Sequence, residues 1–153
     1  MYEVIDKLQE SNDYYYIDYI PFLIKDPKYL DLEEFFIKTY LDSYSKKISR
    51  IMLKLIYYYN CKIYLTEPSK EFNENLEIQF NTDIRATSPE KLDDIIRKVI
   101  LTDFSSVQIL FSDPLFLISI GGEFSVTIFK PTDEVVENLN QLVNQEGLFL
   151  KKH

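Results

Sequence analysis

The sequence has little of the side-chain chemistry on which enzymes and metal sites depend. Its 153 residues include one histidine, His153, one cysteine, Cys61, and no tryptophan. A metal site needs several converging imidazole or thiolate ligands, and nucleophilic catalysis needs a base beside a serine or cysteine. His153 follows two lysines and is a poor candidate for such a base. We therefore predict no catalytic residue, no metal site and no cofactor.

A single cysteine cannot form an internal disulfide, so nothing in the composition indicates an oxidising compartment. The first residues lack the basic and apolar regions of a signal peptide. No apolar run reaches the length of a membrane span. We expect a cytoplasmic protein that does not bind membranes. At this length, residues 1–153 are expected to form a single domain.

Glycine is also scarce, and the three that occur stand where turns are needed: Gly121, Gly122 and Gly147. The Gly121-Gly122 pair predicts a two-residue hairpin loop between strands 115–120 and 124–129, because such loops need positive φ. The register that follows pairs Ser119 with Phe124, Leu117 with Val126, and Leu115 with Ile128. The opposite face then carries Phe116, Ile118 and Ile120 across from Ser125 and Thr127. The first of these strands is apolar on both faces, which predicts a central position in the sheet.

Apolar residues elsewhere recur at helical spacing. The longest such pattern starts after Asp31, which with Glu34 predicts a capped helix start, and continues to about Asn60. Ser88-Pro89 and Pro131-Thr132 predict the starts of two further helices, and residues 2–10 predict a short first one. Further extended segments are predicted at 14–24, 61–66, 76–80, 107–111 and 148–150. The sequence thus predicts an α+β domain, with helices packed on a mostly antiparallel sheet of about four to six strands.

Acidic residues outnumber basic ones by 25 to 17, a net charge of −8. A nucleic-acid-binding surface draws its affinity from clustered Lys and Arg, so this balance argues against a nucleic-acid partner. It favours a basic protein as the partner, although solubility alone would also explain it. The excess lies in the later half of the chain. There we expect five carboxylates to meet the partner: Glu90, Asp93, Asp94, Glu134 and Glu137.

A smaller basic stripe runs along the longest predicted helix. Lys46, Arg50 and Lys54 recur every four residues and therefore share one helix face. A solvated face is the simpler interpretation, and an anion-binding or docking role is the alternative.

Tyrosine is abundant and unevenly placed, because all twelve tyrosines lie within residues 1–64. Two of the clusters are triplets, at 14–16 and 57–59. A triplet cannot bury every ring against one core, and interfaces favour tyrosine for its contact area and polar tip. Compositional drift in the genome is the alternative explanation. The tyrosines predicted to bind a partner are Tyr14, Tyr15, Tyr16, Tyr57 and Tyr58.

The stretch from Ser119 to Lys151 resembles small bacterial immunity-type proteins of polymorphic toxin systems. The similar pieces are a GGEFSV hairpin, a Pro-Thr-Asp-Glu helix start and a closing EGLF. The resemblance covers about a fifth of the chain, and none of its pieces is a catalytic signature. It implies a cytoplasmic protein that neutralises a cognate toxin domain by binding and blocking it. It carries over no functional residues, because such families vary at the surfaces that bind the toxin.

Three functions remain open at this point. The first is a non-enzymatic binding protein, an immunity protein that occludes a basic toxin. The second is a self-associating structural or accessory protein, such as a phage component or complex subunit. Its homodimer interface would use exposed tyrosines and the Phe116, Ile118 and Ile120 face. The third is a small hydrolase, which needs two close carboxyl groups in a pocket with a raised pKa.

Overall fold

Four helices and a six-stranded sheet make up the part of the chain that the computed structural model describes, residues 2–22, 29–68 and 79–153. The helices are α1 (Tyr2–Gln9), α2 (Leu30–Tyr58), α3 (Pro89–Thr102) and α4 (Asp133–Gln145). The strands are β1 (Tyr14–Asp18), β2 (Cys61–Leu65), β3 (Val107–Ser112), β4 (Leu115–Ile120), β5 (Val126–Phe129) and β6 (Phe149–Lys152).

The strands form one sheet in the order β2-β3-β4-β5-β1-β6, and every neighbouring pair is antiparallel. The predicted α+β class is therefore confirmed. β4 lies inside the sheet, as its apolar residues on both faces predict. The segment predicted as extended at 14–24 contributes the five-residue strand β1, which lies between β5 and β6.

The two faces of the sheet are covered unequally. Ile17, Ile118 and Ile128 point to the main core, where they meet the apolar faces of α2, α3 and α4. On the opposite face, Ile5 and Leu8 of α1 pack against Tyr64 and Leu117 in a smaller cluster. The three longer helices thus form one layer, and the eight-residue α1 covers part of the other side of the sheet.

The helix α2 is 29 residues long, so it spans about 43 Å at 1.5 Å per residue. It starts at Leu30, and its N-cap residue is Tyr29, which makes no side-chain capping hydrogen bond. The predicted cap at Asp31 is therefore wrong, because Asp31 already lies within the first turn. The buried residues of α2 begin only at Leu41.

The other predicted helix starts are confirmed. The Ser88 hydroxyl accepts a 3.3 Å hydrogen bond from the backbone N–H of Lys91, with Pro89 at the first helical position. The Thr132 hydroxyl accepts in the same way from Val135. Gly147 has φ of +71° just after α4, where a left-handed residue ends the helix.

The connection between β4 and β5 is five residues long, three more than the predicted two-residue loop. Ile120 pairs with Val126 and Ile118 with Ile128, so residues 121–125 form the connection. The positive φ belongs to Glu123, at 60°, and the Glu123 N–H donates to the carbonyl of Ile100 on α3. This tertiary contact lengthens the loop and replaces the two-residue turn.

The change in register also changes the two faces of the hairpin, because an odd shift exchanges the faces that meet. Phe116, Ile118 and Ile120 now share the core face with Val126 and Ile128, and all of them are buried. The suggestion that Phe116, Ile118 and Ile120 form a homodimer interface is therefore wrong.

A strand is predicted at 76–80, and the described part of this segment contains none. Residues 76–78 lie outside the described residues, and Gln79 and Phe80 belong to no strand. Asp83 instead lies beside β2, where its carboxylate accepts from the Ile63 N–H at 3.0 Å and Ile84 donates to the Ile63 carbonyl.

Candidate functional site

A groove of about 340 Å³ opens where residues 36–47 of α2 pass the end of β1 and the turn between α4 and β6. We call it the aromatic groove. Its lining residues are Tyr19, Ile20, Phe36, Tyr40, Ser43, Tyr44, Lys47, Gly147 and Leu148. Most of the α2 contribution comes from one face of the helix, since positions 36, 40, 43, 44 and 47 are three or four residues apart.

An exposed apolar surface adjoins the groove. Five of the large hydrophobic side chains that are exposed in the described part of the chain fall within residues 29–40: Tyr29, Leu30, Leu32, Phe35 and Tyr40. Tyr29 and Leu30 are each 67% exposed, and Phe35 is 52% exposed. The Phe35 ring lies 6.0 Å from Phe36 and 6.4 Å from Tyr40, which joins this apolar patch to the groove. Grouped exposed apolar side chains are typical of protein-binding sites.

The rings of the groove are held by the core behind them. Tyr19 contacts Phe36 edge-on at 5.6 Å, and Phe36 lies 5.5 Å from Tyr40. Phe124 backs this row, with centroid distances of 4.3 Å to Tyr19 and 4.9 Å to Tyr44. Rings fixed before binding lose little conformational entropy when a partner covers them.

Two carboxylates lie near the phenol of Tyr19. Burial raises the pKa of the Tyr19 hydroxyl above its usual range, and the nearby carboxylates of Asp18 and Glu33 raise it further. Asp18 is itself paired with Lys151, whose ammonium lies 2.9 Å from it and also donates to the Phe22 carbonyl. Glu33 is exposed on the first turn of α2. The groove therefore combines aromatic surface with negative charge at its Tyr19 end.

The structure places the first tyrosine triplet within the sheet. Tyr14, Tyr15 and Tyr16 are all half-buried in β1, and their rings alternate between the two faces. Tyr14 stacks on His153 with centroids 4.3 Å apart, while the ammoniums of Lys151 and Lys152 lie over the other two rings. These rings have intramolecular contacts and do not form one exposed surface.

The second triplet lies at the C-terminal end of α2. Tyr57 is 91% exposed and Tyr58 is 68% exposed, whereas Tyr59 is buried. The Tyr59 hydroxyl accepts a 2.9 Å hydrogen bond from the Asn138 amide of α4. Tyr57 and Tyr58 are thus available at the surface, at the opposite end of α2 from the apolar patch.

The predicted acidic site is divided between two helices. On α3, Asp93 pairs with Arg97 and Asp94 with Lys98, each at 3.1 Å, and Asp93 also accepts from the Ser49 hydroxyl of α2. Glu90 is exposed at the start of the same helix. Glu134 and Glu137 are exposed on α4, a separate helix.

The basic stripe of α2 is partly neutralised within the protein. Lys46 pairs with Asp42 at 3.1 Å, and Arg50 donates to Glu146 at 2.6 Å. The hydrogen bond from Arg50 lowers the pKa of Glu146 below its usual range, and burial acts in the opposite direction.

The few reactive side chains do not converge. Cys61 is half-buried in β2, and burial raises its thiol pKa to about 11. His153 is stacked on Tyr14. Within residues 2–22, 29–68 and 79–153, no three His, Cys, Asp or Glu side chains are grouped to hold a metal ion.

The residues that form the groove and the apolar patch are absent from the predicted site. The predicted tyrosines belong to the two triplets, and Tyr19, Phe35, Phe36 and Tyr40 lie outside these. The sequence does hold a signal for them. Residues 30–40 carry apolar side chains at six positions: Leu30, Leu32, Phe35, Phe36, Ile37 and Tyr40. This is more than one buried helix stripe needs, so part of the set must face outward.

Two further findings bear on the classification of the chain. Among the described helices, none is long and apolar enough to cross a membrane. Comparison with protein-family models, curated proteins and solved structures found no match to this chain.

Proposed function

We propose that the chain is a non-enzymatic protein-binding protein, and that it binds its partner through the aromatic groove and the apolar patch. The observation that carries this proposal is the set of five exposed apolar side chains on residues 29–40, of which Phe35 and Tyr40 are linked by ring contacts to the groove. Exposing this surface to water is unfavourable unless a partner covers it. Tyrosine and phenylalanine are also among the side chains that interfaces favour.

The more specific proposal is an immunity protein that neutralises a cognate bacterial toxin domain in the cytoplasm by occluding its functional surface. The similarity of Ser119–Lys151 to immunity-type proteins supports it, as does the small inventory of reactive side chains. Binding and blocking requires an exposed, pre-formed surface and no chemistry. The groove provides such a surface.

The net charge of −8 favours a basic partner. Exposed Glu90, Glu134 and Glu137 contribute to a negative field that accelerates the approach of a basic protein, even where they lie outside the final interface. Asp93 and Asp94, which are paired on α3, would contribute less. The carboxylates thus act mainly on the association rate, while the aromatic residues determine how long the complex lasts.

The second candidate function is self-association as a structural or accessory protein. It is favoured by Tyr57 and Tyr58, which are exposed at the end of α2 distant from the groove. Light scattering over a range of concentrations separates the two functions. A monomer at every concentration contradicts self-association, and a dimer that the Tyr57→Ala/Tyr58→Ala variant abolishes supports it.

The experiment that tests the first proposal is a neutralisation assay against a candidate toxin domain taken from the genes that neighbour the one encoding this chain. Purified protein is titrated against that domain at low and moderate salt, and the toxin's activity is measured. We expect stoichiometric inhibition whose onset slows as salt rises. Full toxin activity at a micromolar excess of the protein would contradict the proposal.

A further inference from the structure

We propose that the aromatic groove receives an arginine side chain of the bound partner, held against the rings of Phe36 and Tyr40 and by the carboxylate of Glu33. This inference rests on the proposed function, because it specifies what the partner contributes to the same surface. It follows from the charges and rings that share one face of α2.

Glu33, Phe36 and Tyr40 occupy positions i, i+3 and i+7 of α2, so they form one stripe along the helix. At about 100° per residue, Lys38 lies about 200° around the helix from Phe36 and faces away from the stripe. The other two acidic residues of these turns, Asp31 and Glu34, lie about 140° and 200° from Phe36. Glu33 is therefore the charged residue that α2 itself presents beside these rings.

The position of Glu33 is supported from the other side of the groove. Burial, Asp18 and the Glu33 carboxylate together raise the pKa of the Tyr19 hydroxyl, so Glu33 lies near it. The Tyr19 ring in turn contacts Phe36 at 5.6 Å. Asp18, the other carboxylate near Tyr19, forms an ion pair with Lys151 at 2.9 Å. The negative charge at this end of the groove therefore rests chiefly on Glu33.

The rings keep exposed surface that a cation can contact. Tyr40 is 49% exposed, and Tyr19 and Phe36 are half-buried, so each ring retains accessible surface. A cation within about 6 Å of an aromatic ring is attracted to its face, and arginine is found there more often than lysine. The planar guanidinium can stack on a ring while its N–H groups donate to a carboxylate, which a lysine ammonium cannot do as well.

The end of the groove that is distant from Glu33 carries a positive charge, that of Lys47. Lys47 lies 11 residues from Phe36, about 16 Å along the helix. A partner cation is thus repelled near Lys47 and attracted near Glu33.

The test is an NMR titration of the purified full chain with N-acetyl-arginine amide, which needs no partner. The matched controls are N-acetyl-citrulline amide, the neutral isostere, and N-acetyl-lysine amide. We expect saturable shifts of the Tyr19, Phe36 and Tyr40 ring signals with a dissociation constant on the order of 10 mM. The citrulline compound is expected to bind about fivefold more weakly. Equal shifts with citrulline, or stronger binding of lysine, would overturn the arginine assignment.

Two variants locate the binding. Glu33→Gln and Tyr40→Leu should each weaken arginine amide about fivefold, whereas Glu90→Gln makes the same charge change on α3 and should leave it unaltered. Circular dichroism checks that each variant is folded. Equal weakening by Glu90→Gln would show a general charge effect and would contradict the assignment. If arginine amide fails to bind while the protein still inhibits the toxin, the arginine inference is wrong and the proposed function stands.

Discussion

The hydroxyl of Tyr44 donates a 2.8 Å hydrogen bond to the backbone carbonyl of Ile17. This bond joins the middle of α2 to β1 across 27 residues of sequence, and both residues are buried. Tyr40 precedes Tyr44 by one helical turn, and Tyr19 follows Ile17 by two residues. The bond therefore fixes the distance between the two walls of the aromatic groove.

Replacing Tyr44 with Phe tests this connection. The substitution keeps the ring but leaves the Ile17 carbonyl without this donor, which should lower the free energy of unfolding by about 1–2 kcal/mol. Urea denaturation measures the change. Tyr57→Phe, at a ring that is 91% exposed, serves as the control and should change stability little. Equal stability of the Tyr44→Phe and wild-type proteins would show that this bond contributes nothing net.

The burial of Tyr44 also predicts that the folded protein loses stability in alkali. Burial raises the pKa of Tyr44 in the folded state above its unfolded value of about 10. Its contribution is fully present below that pH and is lost as the pH rises above it, because the unfolded chain releases the proton first. Urea midpoints between pH 8 and pH 11 should therefore fall less steeply for Tyr44→Phe than for the wild type. Parallel curves would contradict the assignment to Tyr44.

The two glycines of the β4–β5 connection should respond differently to substitution. A Cβ added at Gly122 would collide with the side chain of Asp103, which has φ of +52° at the end of α3. Overpacking of this kind costs about 1–3 kcal/mol. A Cβ at Gly121 meets the Ser125 hydroxyl at 3.3 Å, a contact that a small shift relieves. Denaturation of Gly122→Ala and Gly121→Ala should show the larger loss for the first, and the reverse order would contradict the loop packing.

The ion pair of Arg50 and Glu146 should stabilise the protein only above acidic pH. Glu146 has a lowered pKa in the folded state, because Arg50 donates to it. Its contribution is present above the unfolded pKa of about 4.3 and is lost as the pH falls through the folded value. Arg50→Gln should cost about 0.5–1 kcal/mol at pH 7, since the arginine side chain is 53% exposed, and almost nothing at pH 2.

A matched control for that pair is Lys46→Gln. Lys46 and Asp42 are 52% and 64% exposed, so their pair should contribute little at either pH. A loss at pH 7 as large for Lys46→Gln as for Arg50→Gln would show that net charge, and not the Glu146 contact, determines the effect.

Much of the fold is predictable because it depends on local patterns. The caps at Ser88 and Thr132 and the left-handed Gly147 mark helix ends that short-range chemistry determines. The hairpin register is not predictable in this way. It depends on the bond from Glu123 to Ile100, a contact between distant parts of the chain that the Gly121-Gly122 pair does not indicate.

The candidate site is less predictable than the fold. The triplet Tyr14 to Tyr16, considered alone, predicts exposed rings. In the structure β5 and β6 flank these residues, and side chains of the two strands contact the rings. The six apolar positions of residues 30–40 indicate that part of this segment faces outward, but they do not indicate that β1 and the turn after α4 meet α2 beside Tyr40. The number of acidic residues also overstates the free negative charge of the predicted acidic site, since Asp93 and Asp94 form ion pairs within α3.

The measurement that tests the binding proposal most directly compares two double variants with the wild-type protein in binding to the toxin domain that the neutralisation assay identifies. Phe35→Ala/Tyr40→Ala removes two rings of the groove and apolar patch, and Tyr57→Ala/Tyr58→Ala removes two exposed rings at the other end of α2. Calorimetry gives the dissociation constants. We expect the first variant to bind at least about 30-fold more weakly, the effect of about 2 kcal/mol, and the second to bind as the wild type does. Unchanged binding by the first variant, or an equal loss by the second, would contradict the proposal.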